Sequence, residues 1–380
     1  MSKSWVLWAM VCVGATMIGL AQAAAPATTS TTQSADAIRT AARDKGLAWL
    51  TKNQAKDGSW GTKYPVAVTS LACLSYLAAS DEPFKGDNGP ALVRGLTYLM
   101  SKQKDGMFPH EQSTWIHVQG FATLALCEAY GRTLFCKTTP DMDMAKVKEV
   151  IPKALKAIQD NQSDSGGWWY TGSKSQHEGS TTVTAVQAMV SASNFGFEID
   201  EQVLDKGFEY LKKCQNKDGG FDYMLDNSPD TTSMKEGTAA DVATLALMKK
   251  FDYEVMLEAA KFLVKLTPAG ISKERFPYYG HFYGCMGMKL LGEEMRSHQK
   301  DTNAYIAGAL ADIRSWQKDD GSWPVKEHVK SVGEIDAYAT AFATLVLSVE
   351  DARLSILNRK PPKLPKTDKD KPAKETAGPK

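Results

Sequence analysis

The chain has 380 residues, of which 43% are hydrophobic and 23% are charged. Its 45 lysine and arginine residues nearly cancel its 44 aspartate and glutamate residues, so no global electrostatic field favours a nucleic-acid partner, and we predict none. Because a chain of this length exceeds what one hydrophobic core usually supports, it needs several domains or a repeat architecture.

The amino terminus has the pattern of a secretory signal peptide. Lys3 precedes an apolar stretch at residues 5–20, and an Ala-Gln-Ala cleavage sequence follows at residues 21–23. The stretch is shorter than the roughly 20 residues of a bilayer span, and no second one follows. We therefore predict a signal peptide at 1–23, a secreted or periplasmic protein, and no transmembrane anchor after cleavage. Residues 24–37, rich in Ala, Thr and Ser, are expected to form a flexible leader.

Residues 38–355 repeat a motif made of a Gln, a few polar residues, a Gly and an aromatic residue, at a period of about fifty residues. Five clear copies occupy residues 54–60, 103–108, 162–168, 215–221 and 317–323. The interval before the last copy is twice as long as the others. It holds a degenerate copy near Leu266, in the sequence Leu-Thr-Pro-Ala-Gly. The sequence therefore predicts six repeats.

The two sides of each motif have different helical patterns. Upstream, apolar residues recur at helical spacing with charges between them, which is typical of an amphipathic outer helix. The motif Gly suits a left-handed residue at the end of that helix. Downstream runs are apolar almost all round, which is typical of buried helices. Six such pairs predict an all-α fold, an α/α toroid with two concentric helix layers.

The last inner helix, predicted from Asp336 to Glu350, decides between a closed ring and a straight solenoid. It is as apolar as the inner helices in the middle of the chain. A solenoid needs polar terminal repeats, whereas a ring has no ends to protect. We therefore predict a closed ring with a central cavity.

Residues 356–380 are rich in Lys and Pro and poor in large apolar residues. Such a segment buries too little apolar surface to offset its ordering entropy, so we predict a disordered tail. Its basic character leaves two roles open, a solubilising end or a contact with anionic envelope polymer.

The Q-x-x-x-D-G-x-W/F motif, followed by an Ala/Thr-rich helix, resembles the prenyltransferase and squalene-cyclase (terpenoid cyclase-like) repeat superfamily, where it is called the QW motif. The resemblance covers residues 38–349. It implies an α/α toroid whose inner helices surround a cavity for an isoprenoid or other hydrophobic ligand. It also implies that the motif residues tie neighbouring repeats together; these are Gln54, Trp60, Gln162, Trp168, Gln317 and Trp323.

The resemblance also implies catalytic motifs, and the sequence departs from each of them. The Asp-x-Asp-Asp acid of the cyclases has its nearest counterpart in Asp-Met-Asp-Met at 141–144, which lacks the last Asp. The zinc site of the protein prenyltransferases has weak candidates in His281 and Cys285, but no Asp-x-Cys occurs and Gly284 stands where that family has His. We predict no metal and no cofactor.

Two further branches of toroid folds leave little trace in the sequence. The ring-thioester string Cys-Gly-Glu-Gln is missing. A toroid polysaccharide lyase needs a basic residue to abstract a proton, and Trp-Pro-Val-Lys at 323–326 is only a short match to its motif.

Acidic residues precede three of the buried helices at matching points: Glu178, Glu236 and Asp336. In a ring these points converge on one rim of the cavity, although a carboxylate there also suits a helix cap. Asp241 lies one turn deeper, between Ala and Val, and a buried carboxylate needs a partner or a shifted pKa. His281 occupies the matching point of the fifth repeat. We therefore predict an Asp241–His281 pair that faces the cavity and supplies the best catalytic candidates, with a satisfied pair in the core as the alternative.

Aromatic and histidine side chains are expected around the same rim, as in a pocket for an apolar or sugar-like ligand. They are Trp115, His117, His177, Tyr278, Tyr279 and Tyr283. Two classes of function remain open. One is an enzyme or binder acting on a hydrophobic ligand in the cavity, and the other is a scaffold that uses the ring as a rigid platform.

Overall fold

The computed structural model describes residues 29–110, 114–225, 233–250, 254–294, 299–326 and 335–365. These ranges contain thirteen α-helices and no β-strand. None of the helices in these ranges has the length and apolar character needed to cross a membrane. The predicted signal peptide at 1–23 lies outside the described residues, as does residue 366 onward of the predicted tail.

The chain divides into an amino-terminal unit, Met1–Ala37, and a compact unit, Ile38–Lys380. The helices are α1 Thr29–Lys52, α2 Pro65–Ala79, α3 Gly89–Lys102, α4 Trp115–Thr133, α5 Met144–Asp160, α6 Gly179–Asn194, α7 Glu201–Lys213, α8 Lys235–Leu247, α9 Glu254–Leu263, α10 Pro268–Ile271, α11 Pro277–Glu294, α12 Gln299–Ser315 and α13 Asp336–Ser348. The predicted leader at 24–37 needs correction, because α1 begins at Thr29.

The helices form the two predicted layers. The inner layer consists of α2, α4, α6, α8, α11 and α13, each packed against the next, and α13 packs back against α2. The outer helices α3, α5, α7, α9 and α12 pack against these inner helices. The first outer helix joins α2 through Tyr76, whose Oη donates to the Leu47 carbonyl of α1. The all-α toroid predicted from the sequence is thus confirmed, with a closed inner ring.

The motif glutamines connect each repeat to the next outer helix. Gln162 donates through Nε2 to the Gly166 carbonyl in its own loop at 2.7 Å and to the Val203 carbonyl of α7 at 2.8 Å. The other motif glutamines repeat the second bond, to Ala91, Val150 and Val255 in turn. In the last copy, Gln317 donates to the Ala42 carbonyl of α1 at 2.8 Å. This bond joins the last repeat to the first.

The motif aromatics hold the outer helix against the inner one. Trp168 is fully buried, and its Nε1 donates to the Ile158 carbonyl at the end of α5. Its backbone N–H donates to the Thr182 hydroxyl in the first turn of α6. Trp60 and Trp323 make the same two bonds in their own repeats. The Thr residues of the inner helices therefore satisfy a buried backbone group at each motif.

The motif glycines are required by backbone conformation and by a close approach. Gly321 has φ +93°, a region that other residues reach only at a cost. A Cβ at Gly321 would lie 2.6 Å from the Lys45 carbonyl oxygen, closer than real Cβ atoms come to such an atom. Gly58 has φ +90° and meets the Arg94 carbonyl in the same way. The left-handed motif Gly predicted from the sequence is confirmed.

The carboxyl-terminal segment covers the end of the ring where the inner helices finish. Ile356 and Leu357 lie in a 3-10 turn, Ser355–Leu357, and are buried. Ser355 donates from its N and Oγ to the carboxylate of Glu128 on α4, at 2.8 and 2.6 Å. The predicted start of the tail at residue 356 is therefore wrong, because these apolar residues pack against the inner helices.

Candidate functional site

A cavity of about 620 Å³ lies among the amino-terminal turns of the inner helices, at the end opposite to the carboxyl-terminal segment. All six inner helices contribute to its wall. The helical residues are Ala67, Val68, Leu71, His117, Val118, Phe121, Gly179, Ser180, Glu236, Gly237, Asp241, Tyr279, Tyr338 and Phe342. Residues of the preceding loops complete the wall: Tyr64, Thr114, Tyr170, Asp222, Tyr223, Met234, Arg275, Phe276 and Ile335.

Aromatic side chains make up much of the wall. Phe121 meets Phe342 edge-on, with ring centroids 6.4 Å apart, and Tyr338 packs against Phe342 at 5.1 Å. Across the wall, the Tyr170 and Tyr223 hydroxyls share a hydrogen bond of 2.6 Å. A concave, mainly apolar wall with a few polar groups is typical of small-molecule sites, and the volume is within their usual range.

Asp241 is the deepest carboxyl group of the wall. It lies on α8 with 3% of its surface exposed, and its Oδ1 has no hydrogen-bond partner among the described residues. Burial raises the pKa of Asp241 well above its usual value, and the nearby Glu178 charge raises it further. Asp241 is therefore a buried residue of the cavity wall, and its role as a catalytic candidate stays a prediction.

Glu178 has a structural role as the amino-terminal cap of α6. Its carboxylate accepts hydrogen bonds from Ser180 N, Ser180 Oγ and Thr181 N, at 2.6 to 2.8 Å. Burial raises the pKa of Glu178, whereas these bonds lower it. Because a charged carboxylate is stabilised by the positive end of a helix, we assign the negative charge of the Glu178–Asp241 pair to Glu178. Asp241, which receives no such bonds, then carries the proton.

Glu236 and His117 also line the cavity, as predicted. Burial raises the pKa of Glu236, and the neighbouring Glu274 charge adds to that shift. Burial lowers the pKa of His117 to about 4, so the ring is neutral near pH 7. His117 Nδ1 lies 3.1 Å from the Thr184 hydroxyl.

The predicted Asp241–His281 pair is wrong. His281 Nε2 lies 2.9 Å from Ser272 Oγ, and Ser272 donates to Asp312 Oδ2 at 2.8 Å. The reason is the helix period: Tyr279 faces the cavity, and a residue two positions later lies about 200° around the helix. His281 therefore points to the outer layer, and burial lowers its pKa to about 4.

Two more predicted rim residues lie out of the cavity, Tyr278 because of the same angular argument and Tyr283 because of its depth in the ring. Tyr278 donates to the Pro324 carbonyl at 2.7 Å and packs on Trp316, on the outward side of α11. Tyr283 lies one turn below Tyr279, where its hydroxyl donates to Gln187 Oε1 at 3.1 Å. Both are satisfied packing residues in the wall between helices.

Asp336 is not at the rim either. It begins α13 and pairs with Lys318 at 2.7 Å on the outer side of the ring. The three matched acids occupy different helical positions, because Glu178 precedes α6, Glu236 is the second residue of α8, and Asp336 is the first residue of α13. Successive residues of an α-helix point in directions about 100° apart around its axis, so of these three acids only Glu236 faces the cavity.

Trp115 and His177 lie beside the cavity rather than in its wall. Trp115 is buried at the start of α4, and its Nε1 has no partner among the described residues. His177 Nδ1 lies 3.2 Å from the Tyr210 hydroxyl.

The metal and lyase candidates have other contacts. Cys285 is buried one turn from His281, and the described residues bring no three His, Cys, Asp or Glu side chains together in a metal-binding group. Lys326, the basic residue of the lyase-like string, lies over the Trp316 ring at 4.9 Å, which places it on the outer layer.

Several wall residues were missed from the sequence. Tyr170 and Tyr223 each follow a motif aromatic by two residues, in the third and fourth repeats. That shared offset was a usable signal, since the loop after each motif leads to the start of an inner helix. Arg275 and Phe342 had no such signal, because their positions depend on loop course and helix rotation.

The sequence matches one protein family, described as the prenyltransferase alpha-alpha toroid domain, over residues 27–267. No curated protein matches the sequence significantly.

Solved structures share the fold. A type II terpene cyclase from Scytonema, in complex with geranylgeranyl dihydroxybenzoate, is 14% identical with a TM-score of 0.55, over 84% of this chain and 99% of that one. The GH76A alpha-1,6-mannanase of Salegentibacter sp. HEL1_6 is 10% identical with a TM-score of 0.60, over 82% and 98%. A GH76 alpha-mannanase of Bacteroides thetaiotaomicron is 13% identical with a TM-score of 0.58, over 82% and 94%.

Proposed function

From the premise that the chain belongs to the prenyltransferase alpha-alpha toroid domain family, we propose that the protein binds one hydrophobic molecule of the isoprenoid class inside its ring. The observation that carries this proposal is the aromatic cavity of about 620 Å³. Its size suits a small ligand, and burial of apolar ligand surface against aromatic side chains supplies the binding energy. The isoprenoid substrate of the Scytonema cyclase, which has a similar fold, supports the choice of ligand class.

The cellular location of the protein is part of the same proposal. The signal-peptide pattern at residues 1–23 supports export, and we propose that the protein works in the periplasm or outside the cell. The repeated Gln–Gly–aromatic motif, which joins neighbouring repeats, is proposed to be the QW motif of the superfamily. The basic end of the chain is proposed to contact anionic envelope polymer.

A carbohydrate ligand is the second candidate. It is favoured by the carboxyl groups of Asp222, Glu236 and Asp241 in a tyrosine-rich wall, and by the shared fold with two mannanases. The mainly apolar and aromatic wall favours the hydrophobic ligand over the carbohydrate.

The test is a displacement titration. The neutral fluorophore N-phenyl-1-naphthylamine is bound first, and then farnesol or α-1,6-mannotriose is added. We expect farnesol to displace the fluorophore at one site per chain. The Ala67→Trp variant, which places an indole in the cavity, is expected to bind at least about tenfold more weakly.

The matched control is Leu257→Trp, which adds the same side chain at an exposed position of α9 and should leave binding unchanged. Displacement by mannotriose alone would favour the carbohydrate candidate. Failure of both ligands to displace the fluorophore, or equal binding by Ala67→Trp and the wild type, would count against a cavity site.

A further inference from the structure

Two polar groups of the cavity wall have no hydrogen-bond partner among the described residues. They are Oδ1 of Asp241 on α8 and the hydroxyl of Tyr279 on α11. The two helices pack against each other. Burial raises the pKa of Tyr279, and the nearby Tyr283 and Asp241 groups add to that shift. Both residues therefore line one side of the cavity, and their unpartnered oxygen atoms are buried just beneath its surface.

A buried polar group without a partner is costly. Each such group costs about 1–3 kcal/mol, so nearly all buried polar groups in folded proteins are paired. Other tyrosines of the inner ring follow this rule, because the Tyr283 hydroxyl is bound to Gln187. Unpartnered atoms also occur elsewhere among the described residues, as at Trp115 Nε1 and the Tyr305 hydroxyl, but Asp241 and Tyr279 are the two such residues that line the cavity.

The protonation of Asp241 decides what these groups offer to a ligand. Glu178 is satisfied by three donors at the start of α6, whereas Oδ1 of the buried Asp241 has no donor among the described residues. Two negative charges so close in an apolar wall repel each other, so the neutral form of Asp241 is favoured. Neutral Asp241 and Tyr279 then each present an O–H donor.

We propose that Asp241 and Tyr279 donate to one oxygen atom of an otherwise apolar ligand, which makes the ligand a neutral oxygenated isoprenoid, such as an alcohol, aldehyde or ketone. This inference rests on the proposed function and names the ligand's polar group. A hydrocarbon would leave both donors unpaired, and a site built to bind an oxygen rejects the analogue that lacks it.

The charges of the wall argue against an anionic ligand. Among the described residues of the wall, Arg275 carries the positive charge, whereas Asp222 and Glu236 carry carboxyl groups in addition to the neutral Asp241. The Glu178 carboxylate lies directly behind the wall. A diphosphate or carboxylate head group would meet this negative potential without a cluster of cations to offset it.

The experiment compares probes of one carbon skeleton in the displacement titration. The probes are farnesol, the deoxy hydrocarbon, farnesoate and farnesylamine. We expect the alcohol to bind the wild type at least about tenfold more tightly than the hydrocarbon and the carboxylate. A tighter complex with the amine would overturn the proposal, because it would show an ionised Asp241 that selects a cation.

Single substitutions distinguish the hydrogen bonds of Asp241 and Tyr279 from a general effect on packing. Asp241→Asn keeps a donor and should retain the preference for alcohol over hydrocarbon, whereas Asp241→Leu should abolish most of it. Tyr279→Phe should reduce the preference by about threefold to tenfold. Tyr283→Phe is the control, because its hydroxyl is bound to Gln187 away from the cavity and its loss should not change the preference.

The results distinguish this inference from the function on which it rests. Equal binding of alcohol and hydrocarbon by the wild type, or a full preference in Asp241→Leu, would overturn the oxygen site. In that case the proposed function would still stand if the hydrocarbon binds to the wild type and this binding is lost in Ala67→Trp. Saturable binding of the alcohol with the expected loss in both donor variants would support the inference.

Discussion

Asp241 and His281 show how one helical step decides the role of a side chain. Both occupy matching points in the repeat pattern, yet Asp241 lies in the cavity wall and His281 is bound to Ser272 in the outer layer. The sequence identified the inner helices but not their rotation about their own axes. Rotation depends on the packing of neighbouring helices and on the loop that enters each one, which single-chain periodicity does not contain.

The neutral state of Asp241 has a consequence for stability that can be measured. Unfolded Asp has a pKa near 3.9, and the folded-state pKa is raised, so the folded protein holds a proton that the unfolded chain releases. The associated stability is fully present below about pH 3.9 and is lost as the pH rises towards the folded-state pKa. Asp241→Asn has no proton to lose, so its stability lacks this dependence.

We therefore expect the melting temperature of Asp241→Asn to exceed that of the wild type by at least about 2 °C at pH 7.5, with the difference shrinking towards zero near pH 4. Glu236 titrates in both proteins and cancels in the comparison, whereas the Glu178 charge, which raises the pKa of Asp241, is part of the measured effect. Thermal unfolding followed by circular dichroism from pH 4 to 8 measures the difference. A constant offset across that range would show that Asp241 is ionised in the folded state.

At the scale of secondary-structure elements, the repeat motif was the feature of the sequence from which most of the helix arrangement could be predicted. Its Gly, Gln and aromatic each have a backbone reason: a left-handed turn, a bond to the next outer helix, and a bond to the preceding one. These reasons are local to each repeat, so the sequence pattern revealed them. The loop residues Tyr170 and Tyr223 share their offset from the motif aromatic, but helical periodicity does not extend into the loops, so a search based on helix patterns missed them.

The motif glycines provide the sharpest test at this scale. Gly321→Ala places a Cβ 2.6 Å from the Lys45 carbonyl, whereas Gly86 has φ +71° with open space around its Cβ. Both substitutions incur the cost of a left-handed Ala, but only the first adds a backbone clash. We expect Gly321→Ala to lower the free energy of unfolding by about 2 kcal/mol or more beyond Gly86→Ala, measured by urea denaturation. Equal losses in the two variants would contradict the close approach of the last repeat to the first.

At the scale of the whole molecule, the ring has two unlike ends. The carboxyl-terminal segment covers one end through Ile356, Leu357 and the Ser355 bonds to Glu128, and the cavity lies at the other. Ring closure was predictable from the apolar character of the last inner helix. The covering segment was not, since only a few apolar residues precede the Lys- and Pro-rich sequence.

The most direct measurement is a crystal structure of the protein with farnesol bound. The account predicts one farnesol molecule inside the ring, with its chain against Phe121 and Phe342 and its oxygen within hydrogen-bond distance of Asp241 Oδ1 and the Tyr279 hydroxyl. Farnesol bound on the outer surface, or held in the ring with its oxygen turned away from both groups, would contradict it.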